Sequence, residues 1–394
     1  MPLKPSELLQ ALGQSQAEFT DFSSNASEIY RDYRRALKKV SAQTDTDITN
    51  LLTDYEHPGA RPLEPLPPSE SKNWLIRSKL KWANRERSLQ WVRDVLTGVT
   101  TFAVDGSQIF PSKDVSPPIA LVQIGWFANP HSETGEYQKD NRLALMTPAQ
   151  LDLENERTLN RQVSMRRFQM EVERIIEFME SHPSCDDCLV FFDGSLVATF
   201  AEASDFECKL FYAKQIVALL RASEKYKVPV VGYIDTSQAC DIVQMLRCLE
   251  VLPETTLLND AQLLGNEMNW GDRTPVFICD RTGDARSQGI LSLYEEQADA
   301  IAFLYMKTNG NAPVRLEFPR WIYDEGHFER ILNYVRGEVI IGGGYPYTIE
   351  TADQVAVLQS GDRNLFYRLV QDWSEQASVN ISFSRKMVSK QLRR

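Results

Sequence analysis

The sequence predicts an α/β fold with parallel strand pairing. First, short apolar runs at 102–104, 189–192 and 228–234 alternate with stretches of helical spacing at 148–180, 207–225 and 241–251. Second, the later runs are apolar without interruption, as expected of strands covered on both faces. Third, two of the runs end in the same tripeptide. Phe102-Ala103-Val104-Asp105-Gly106-Ser107 is followed 88 residues later by Val190-Phe191-Phe192-Asp193-Gly194-Ser195.

Taken in order, residues 5–43 read as helix: Leu8, Leu9 and Leu12, then Ile29, Tyr30 and Tyr33, recur at helical spacing, and Ser6 can cap the first turn. Residues 44–56 continue with Asp47, Ile48, Leu51 and Leu52. His57-Pro58-Gly59 and Pro62, Pro65, Pro67 and Pro68 make an irregular connector. Residues 72–97, with Trp74, Leu75, Leu80, Trp82, Leu89, Trp91 and Val92, read as helix again, so residues 1–97 form a helical N-terminal arm. Strands are expected at 102–104, 119–127 and 142–146, with a polar loop at 129–140 between the last two. Pro148 opens a helix to about 180; residues 183–187 are a turn. Further strands fall at 275–279, 301–307 and 314–318, and further helices at 328–337, 349–358 and 363–371. Residues 98–378 thus form the main domain, and 379–394 a basic tail.

Composition narrows the function. The 394 residues are 43% hydrophobic and 25% charged, as in soluble globular proteins. There is no run of eighteen uncharged apolar residues, and no apolar signal core near Met1, so neither a membrane span nor secretion is expected. Six scattered cysteines point to reduced thiols and a cytoplasmic location. A net charge of −11 argues against coating nucleic acid by charge alone, but catalytic carboxylates are compatible with it. Basic patches occur at Lys79, Lys81, Arg85, Arg87 and Arg93, and in the tail at Arg385, Lys386, Lys390, Arg393 and Arg394; a solvated face accounts for either equally well.

A single Asp-Gly-Ser is usually a turn. Two copies, each after a buried strand, suggest that Asp105 and Asp193 lie side by side and hold a divalent metal. Neighbouring strands are roughly 4.8 Å apart, and hard carboxylate oxygens suit Mg²⁺ and Mn²⁺. Gly106 and Gly194 would permit a sharp exit, and Ser107 and Ser195 would face a metal-bound water or a phosphate. Other signals have plainer readings. Asp235 is expected to cap a helix starting near Ser237, Asp280 and Arg281 to make a loop salt bridge, and Phe191 and Phe192 to be core. Cys185 and Cys188 have the spacing of half a zinc site without a matching second pair. The glycines at 342–344 lack the Lys-Ser/Thr of a phosphate loop.

The two Asp-Gly-Ser strands resemble the first and third motifs of the NurA family of DNA end-processing nucleases. In that family a helical glutamate lies about twenty residues before the third motif; Glu171, in Met165-Arg166-Arg167-Phe168-Gln169-Met170-Glu171, stands there, with Glu173 as the alternate. Arg315-Leu316-Glu317-Phe318-Pro319 resembles a further signature. Gly344-Tyr345-Pro346-Tyr347 resembles the last motif; eight residues after Tyr345 the family commonly has histidine, and this chain has Asp353. The resemblance covers about residues 98–372.

It implies a ribonuclease H-like core with a central mixed sheet flanked by helices, beyond the N-terminal helical arm. It implies metal-dependent cleavage of DNA in end processing and double-strand break repair. The implied ligands of Mn²⁺ or Mg²⁺, as two ions, are Asp105, Glu171, Asp193 and Asp353, with Tyr345 holding a phosphate or a ligand. The implied partners are DNA, a second copy of the chain and a HerA-type hexameric ATPase. The alternative is a catalytically weak or inactive relative that only binds DNA or the ATPase; a carboxylate-metal phosphatase of another fold is a remote third.

Overall fold

The structure is a computed structural model that describes residues 3–67, 72–151, 156–281, 289–310 and 312–385. The tail residues Lys386, Lys390, Arg393 and Arg394 lie outside it. The chain opens with helices α1 (Pro5–Gln14), α2 (Gln16–Val40) and α3 (Asp45–Leu52), strand β1 (Gly59–Pro62) and helix α4 (Arg85–Leu96). Strands β2 (Thr100–Ile109), β3 (Val115–Ser116), β4 (Ala120–Asn129) and β5 (Gln138–Met146) follow. Then come α5 (Glu156–Ser181), β6 (Cys188–Asp193), α6 (Phe206–Tyr226), β7 (Val230–Ile234), α7 (Asp241–Leu249) and α8 (Asp260–Gly265). Strands β8 (Phe277–Asp280), β9 (Ile301–Met306) and β10 (Val314–Pro319) precede α9 (Trp321–Asp324), α10 (Phe328–Ile341), α11 (Tyr347–Ala356), α12 (Ser360–Gln376) and β11 (Ser382–Phe383). The fold is α/β, with a mixed nine-stranded sheet flanked by helices.

The chain divides into two compact units. One comprises Met1–Lys81, Ile234–Ser287 and Ala302–Leu316. In it β1 pairs antiparallel with β8, and β8 antiparallel with β9. Helix α2 packs on α7 and α8, burying Tyr33, Leu37 and Val40. A buried ion-pair cluster joins Asp241 to Arg281 and Arg315. Asp260 accepts the Ile242 and Val243 amides, so it, and not Asp235, receives the first amides of α7. Asp280 and Arg281 make ion pairs but not in a loop: Asp280 ends β8 and pairs with Arg61 of β1 and with His57, because β1 lies beside β8.

The other unit comprises Trp82–Tyr233, Gln288–Ile301 and Glu317–Arg394. Its strands run in the order β7-β6-β2-β4-β5. The antiparallel meander β2-β4-β5 is joined by β6 and β7, each parallel to its neighbour. A three-strand meander extended by two parallel strands at its first member is the ribonuclease H-like arrangement that the sequence motifs implied. Side chains on a strand alternate between faces. On β2, Phe102 stacks on Phe178 of α5, whereas Thr101 hydrogen-bonds Glu338 of α10 and Thr348 of α11. Helices α5 and α11 therefore cover opposite faces of the same strand.

Several local expectations are corrected. Residues 72–97 are not one helix: a single turn spans Lys72–Trp74, and α4 begins at Arg85. Asn73 and Trp74 adopt positive φ of 59° and 56°, which a continuing helix cannot contain, and Asn84 caps α4 by accepting the Arg87 amide. The proline-rich connector carries a strand, β1. The loop expected at 129–140 is shorter, because β5 begins at Gln138. Cys185 and Cys188 form a disulfide across a Cα separation of 5.4 Å. The reduced state expected of all six cysteines does not hold for this pair, because the turn before β6 folds one back onto the other.

Candidate active site

The two Asp-Gly-Ser copies have different backbones. In the second, β6 ends at Asp193 and the chain turns at Gly194, whose φ of +141° favours glycine. In the first there is no exit: β2 runs through Asp105, Gly106 and Ser107 to Ile109. Gly106 serves another purpose. A Cβ there would collide with the Glu171 carboxylate and lie 2.7 Å from Arg167 Cγ. The missing side chain is what lets Glu171, on α5, reach toward Asp105 through the strand's α5 face.

Asp105 points to the opposite face, toward α11. Its Oδ1 accepts the Gly106 amide at 2.7 Å. Burial pushes its carboxyl up to about 6, helped by a hydrogen bond with Asp353 and by the charges of Asp193 and Asp353. Asp353 comes close because α11 lies directly on β2 and β4. The contact depends on Gly125 of β4, where a Cβ would stand 2.6 Å from the Ala356 amide nitrogen. Ser107 Oγ and Gln123 Nε2 both donate to the Ala356 carbonyl and anchor the end of α11. Ser107 is thus a helix anchor and does not face the acidic groups as a water or phosphate ligand.

Glu171 forms the floor of the group and is buried at 8% exposure. Burial pushes its carboxyl up to about 8; Arg167 opposes the shift, and Asp105 and Asp193 add to it. Its Oε1 lies 3.5 Å from Arg167 Nη1 and has no hydrogen-bond partner. Arg167 Nη1 instead donates to the Gly106 carbonyl at 3.0 Å. Glu173, the alternate, is directed elsewhere and takes Gln169 and Arg166 as partners.

Asp193 and Asp353 are exposed at the rim. The protein around Asp193 raises its carboxyl by desolvation, against a hydrogen bond from Tyr345 and with the Asp353 charge adding to the rise. Tyr345 Oη donates to Asp193 Oδ1 at 2.9 Å, and its ring stands edge-on to Tyr233 with centroids 5.1 Å apart. The charges of Asp105, Glu171, Asp193 and Asp353 are thus felt by one another, and Tyr345 is hydrogen-bonded to Asp193. Ser195 turns away and shares its hydroxyl proton between Val197 O and Glu317 Oε2. Two residues with no sequence-based role join the surroundings. Arg167 has as its signal a position one helical turn before Glu171, and Glu317 is, with Arg315, one of two buried charges in β10.

Among the described residues, no three His, Cys, Asp or Glu side chains already converge in ligand geometry. The chemistry of the group nevertheless fits an oxyphilic divalent ion. All four groups are carboxylates, three are shifted toward the protonated state, and one buried oxygen is unpartnered. A bound cation would remove the repulsion and satisfy that oxygen.

A family profile for the NurA domain matches residues 99–358. No curated protein matches the chain by sequence. Among solved structures the chain is similar to an endonuclease V from Bacillus subtilis, at 11% identity and TM-score 0.32, over 74% of this chain and 95% of that one. It is similar to the catalytic domain of human endonuclease V at 12% identity and TM-score 0.32, over 78% and 93%. A crystal structure of NurA with manganese aligns at 12% identity and TM-score 0.34, over 73% and 93%.

Proposed function

Because the chain belongs to the NurA family, a family of nucleases, we propose that it is a divalent-metal-dependent deoxyribonuclease that hydrolyses phosphodiester bonds in DNA end processing and double-strand break repair. The observation that carries this reading is the group Asp105, Glu171 and Asp193, whose carboxyls are raised chiefly by burial and further by one another's charges and that of Asp353. In the proposal these four hold Mn²⁺ or Mg²⁺, as two ions, within a nuclease domain spanning 98–378. Bound there, the metal supplies Lewis-acid activation of water and of the scissile phosphate. The chain's own residues do the rest. Tyr345 fixes the Asp193 carboxylate, Gly106 leaves room for Glu171, and Arg167 keeps a guanidinium beside the group where phosphate oxygens would arrive. Asp353 supplies a hard oxygen donor where the family commonly has histidine.

End-labelled single- and double-stranded DNA, incubated with Mn²⁺, Mg²⁺ or EDTA, tests the reading. Shortened products are expected with metal and none with EDTA, for wild type but not for Asp193→Ala. A folded protein that cleaves under no metal would instead support a DNA- or partner-binding module, the reading that the net charge of −11 and Asp353 favour.

The family resemblance extends the proposal to a homodimer working beside a HerA-type hexameric ATPase. Light scattering of the purified chain is expected to give twice the 45.0 kDa monomer mass, and a larger complex when such an ATPase is added. A monomer that ignores the ATPase would remove both partners from the proposal. Among the described residues no helix is long and apolar enough to cross a membrane.

A further inference from the structure

We propose that Glu317 is a positioning residue for the metal centre, holding the loop after Asp193 and thereby setting where Asp193 points; the inference rests on the metal-dependent reading above. Glu317 lies on β10 and is 1% exposed. Its Oε2 accepts from the Leu196 amide at 2.7 Å, from Ser195 Oγ at 2.8 Å and from the Val197 amide at 3.3 Å. One carboxylate oxygen thus gathers three donors from three consecutive residues, immediately downstream of Asp193-Gly194.

Two other contacts hold the same loop. The buried Tyr294 hydroxyl donates to Leu196 O at 3.0 Å and accepts the Ala198 amide at 2.9 Å. Gly232, on the neighbouring strand β7, lets the loop lie against that strand: a Cβ there would stand 2.7 Å from Gly194 O and 3.6 Å from Glu317 Cβ. The loop is therefore held by a carboxylate, a phenol and a strand backbone.

The chemistry explains why a carboxylate is used. A buried charge is costly unless it is fully hydrogen-bonded. Successive amides folded around an anion meet that demand, and the charge-assisted bonds are stronger than neutral ones. Gly194 is otherwise the weak point of the site. Its φ of +141° lies where glycine moves freely, and it is bonded directly to Asp193. Tyr345 restrains the Asp193 side chain from one end. Glu317 restrains the backbone from the other, so the carboxylate cannot swing about the turn. Partners behind a metal ligand commonly contribute 10- to 100-fold to affinity or activity in this way.

The experiment measures Mn²⁺ affinity of the full chain by electron paramagnetic resonance of the free ion, alongside the thermal midpoint, for wild type, Asp193→Ala, Glu317→Ala, Glu317→Gln and Ser195→Ala. Glu317→Ala is expected to weaken Mn²⁺ binding by about 10- to 100-fold. Glu317→Gln keeps a carbonyl acceptor in the same volume and is expected to recover part of the loss. Cleavage by both variants should rise toward the wild-type rate as Mn²⁺ is increased, which a general loss of folded protein would not allow. A folded Glu317→Ala chain that binds Mn²⁺ as tightly as wild type overturns the proposal. Should Glu317→Ala not fold, Ser195→Ala decides: weakened binding supports the proposal and unchanged binding overturns it. Asp193→Ala separates the two layers. If it weakens Mn²⁺ binding while the Glu317 and Ser195 variants do not, only the positioning role fails; if wild type binds no Mn²⁺, the metal-dependent reading fails, and the positioning role with it.

Discussion

Replacing Asp105 by alanine is expected to slow DNA cleavage by on the order of 10³-fold or more at saturating Mn²⁺. Of the four acidic groups, Asp105 is the one in the middle of a strand, with a hydrogen bond to Asp353 and electrostatic contact with Asp193 and Glu171. Its removal takes away a charge that all the others share a site with. Asp105→Asn, which keeps the shape and loses the charge, is expected to be nearly as slow. Residues that act as a unit are not additive, so Asp105→Ala with Asp193→Ala is expected to be little worse than either alone. Folding should survive, because deleting one of several crowded carboxylates relieves repulsion in the metal-free protein. The measurement is product formation from end-labelled DNA, with folding checked by thermal melting. Wild-type cleavage by a folded Asp105→Ala chain would end the proposed mechanism.

The second large effect is on stability. The Glu171 carboxyl is raised from 4.5 to about 8 by burial. Between those two values the folded chain keeps the proton while the unfolded chain releases it. Metal-free stability must therefore fall as pH rises through that window. Asp105, raised to about 6, adds to the fall at the lower end. Glu171→Gln abolishes the Glu171 contribution. Stripped of metal, the variant is expected to melt higher than wild type at pH 8.5, by up to a few kcal/mol, since each pKa unit is worth about 1.4 kcal/mol. Near pH 4.5 and below, the two should converge. Added Mn²⁺ should reverse the order at pH 8.5, because a ligand that binds the folded state stabilises the chain that binds it better. A metal-free Glu171→Gln that melts below wild type at pH 8.5 would show that the buried carboxylate is not under the electrostatic load described.

How legible each element is in the sequence depends on how local its cause is. Strand β6 is legible because an uninterrupted apolar run has one good use, a strand covered on both faces. Helix α6, expected at 207–225, spans Phe206–Tyr226, since its apolar positions recur at helical spacing and Asp205 caps it. Helix α4 is shorter than its apolar pattern suggests: Trp74 to Trp82 is apolar enough to suit a helix, and only positive φ at Asn73 and Trp74 and the Asn84 cap break it. Strand β1 is invisible in the sequence, because a pairing partner more than two hundred residues away leaves no local pattern.

The candidate site divides in the same way. The candidate acidic groups are named from the sequence: two apolar runs deliver Asp105 and Asp193, and the resemblance to the NurA motifs points to Glu171 and Asp353. Their convergence is not. Strand β2 passes straight through Asp105-Gly106-Ser107 while β6 stops at Asp193, although the tripeptides are identical. A strand continues only where a neighbour supplies hydrogen bonds, and β4 accompanies β2 as far as Ile109. The choice of Glu171 over Glu173 requires knowing which side of α5 faces the open Gly106. The roles of Ser107, Ser195 and Glu317 require knowing which carbonyls and amides lie opposite them. The sequence by itself determined the α/β alternation and the chemical character of the site, because hydrophobic period and residue type act over a few neighbours. Only the tertiary structure decided which carboxylates share a charge environment and which polar groups hold them, because those energies arise between segments 60 to 250 residues apart in the chain.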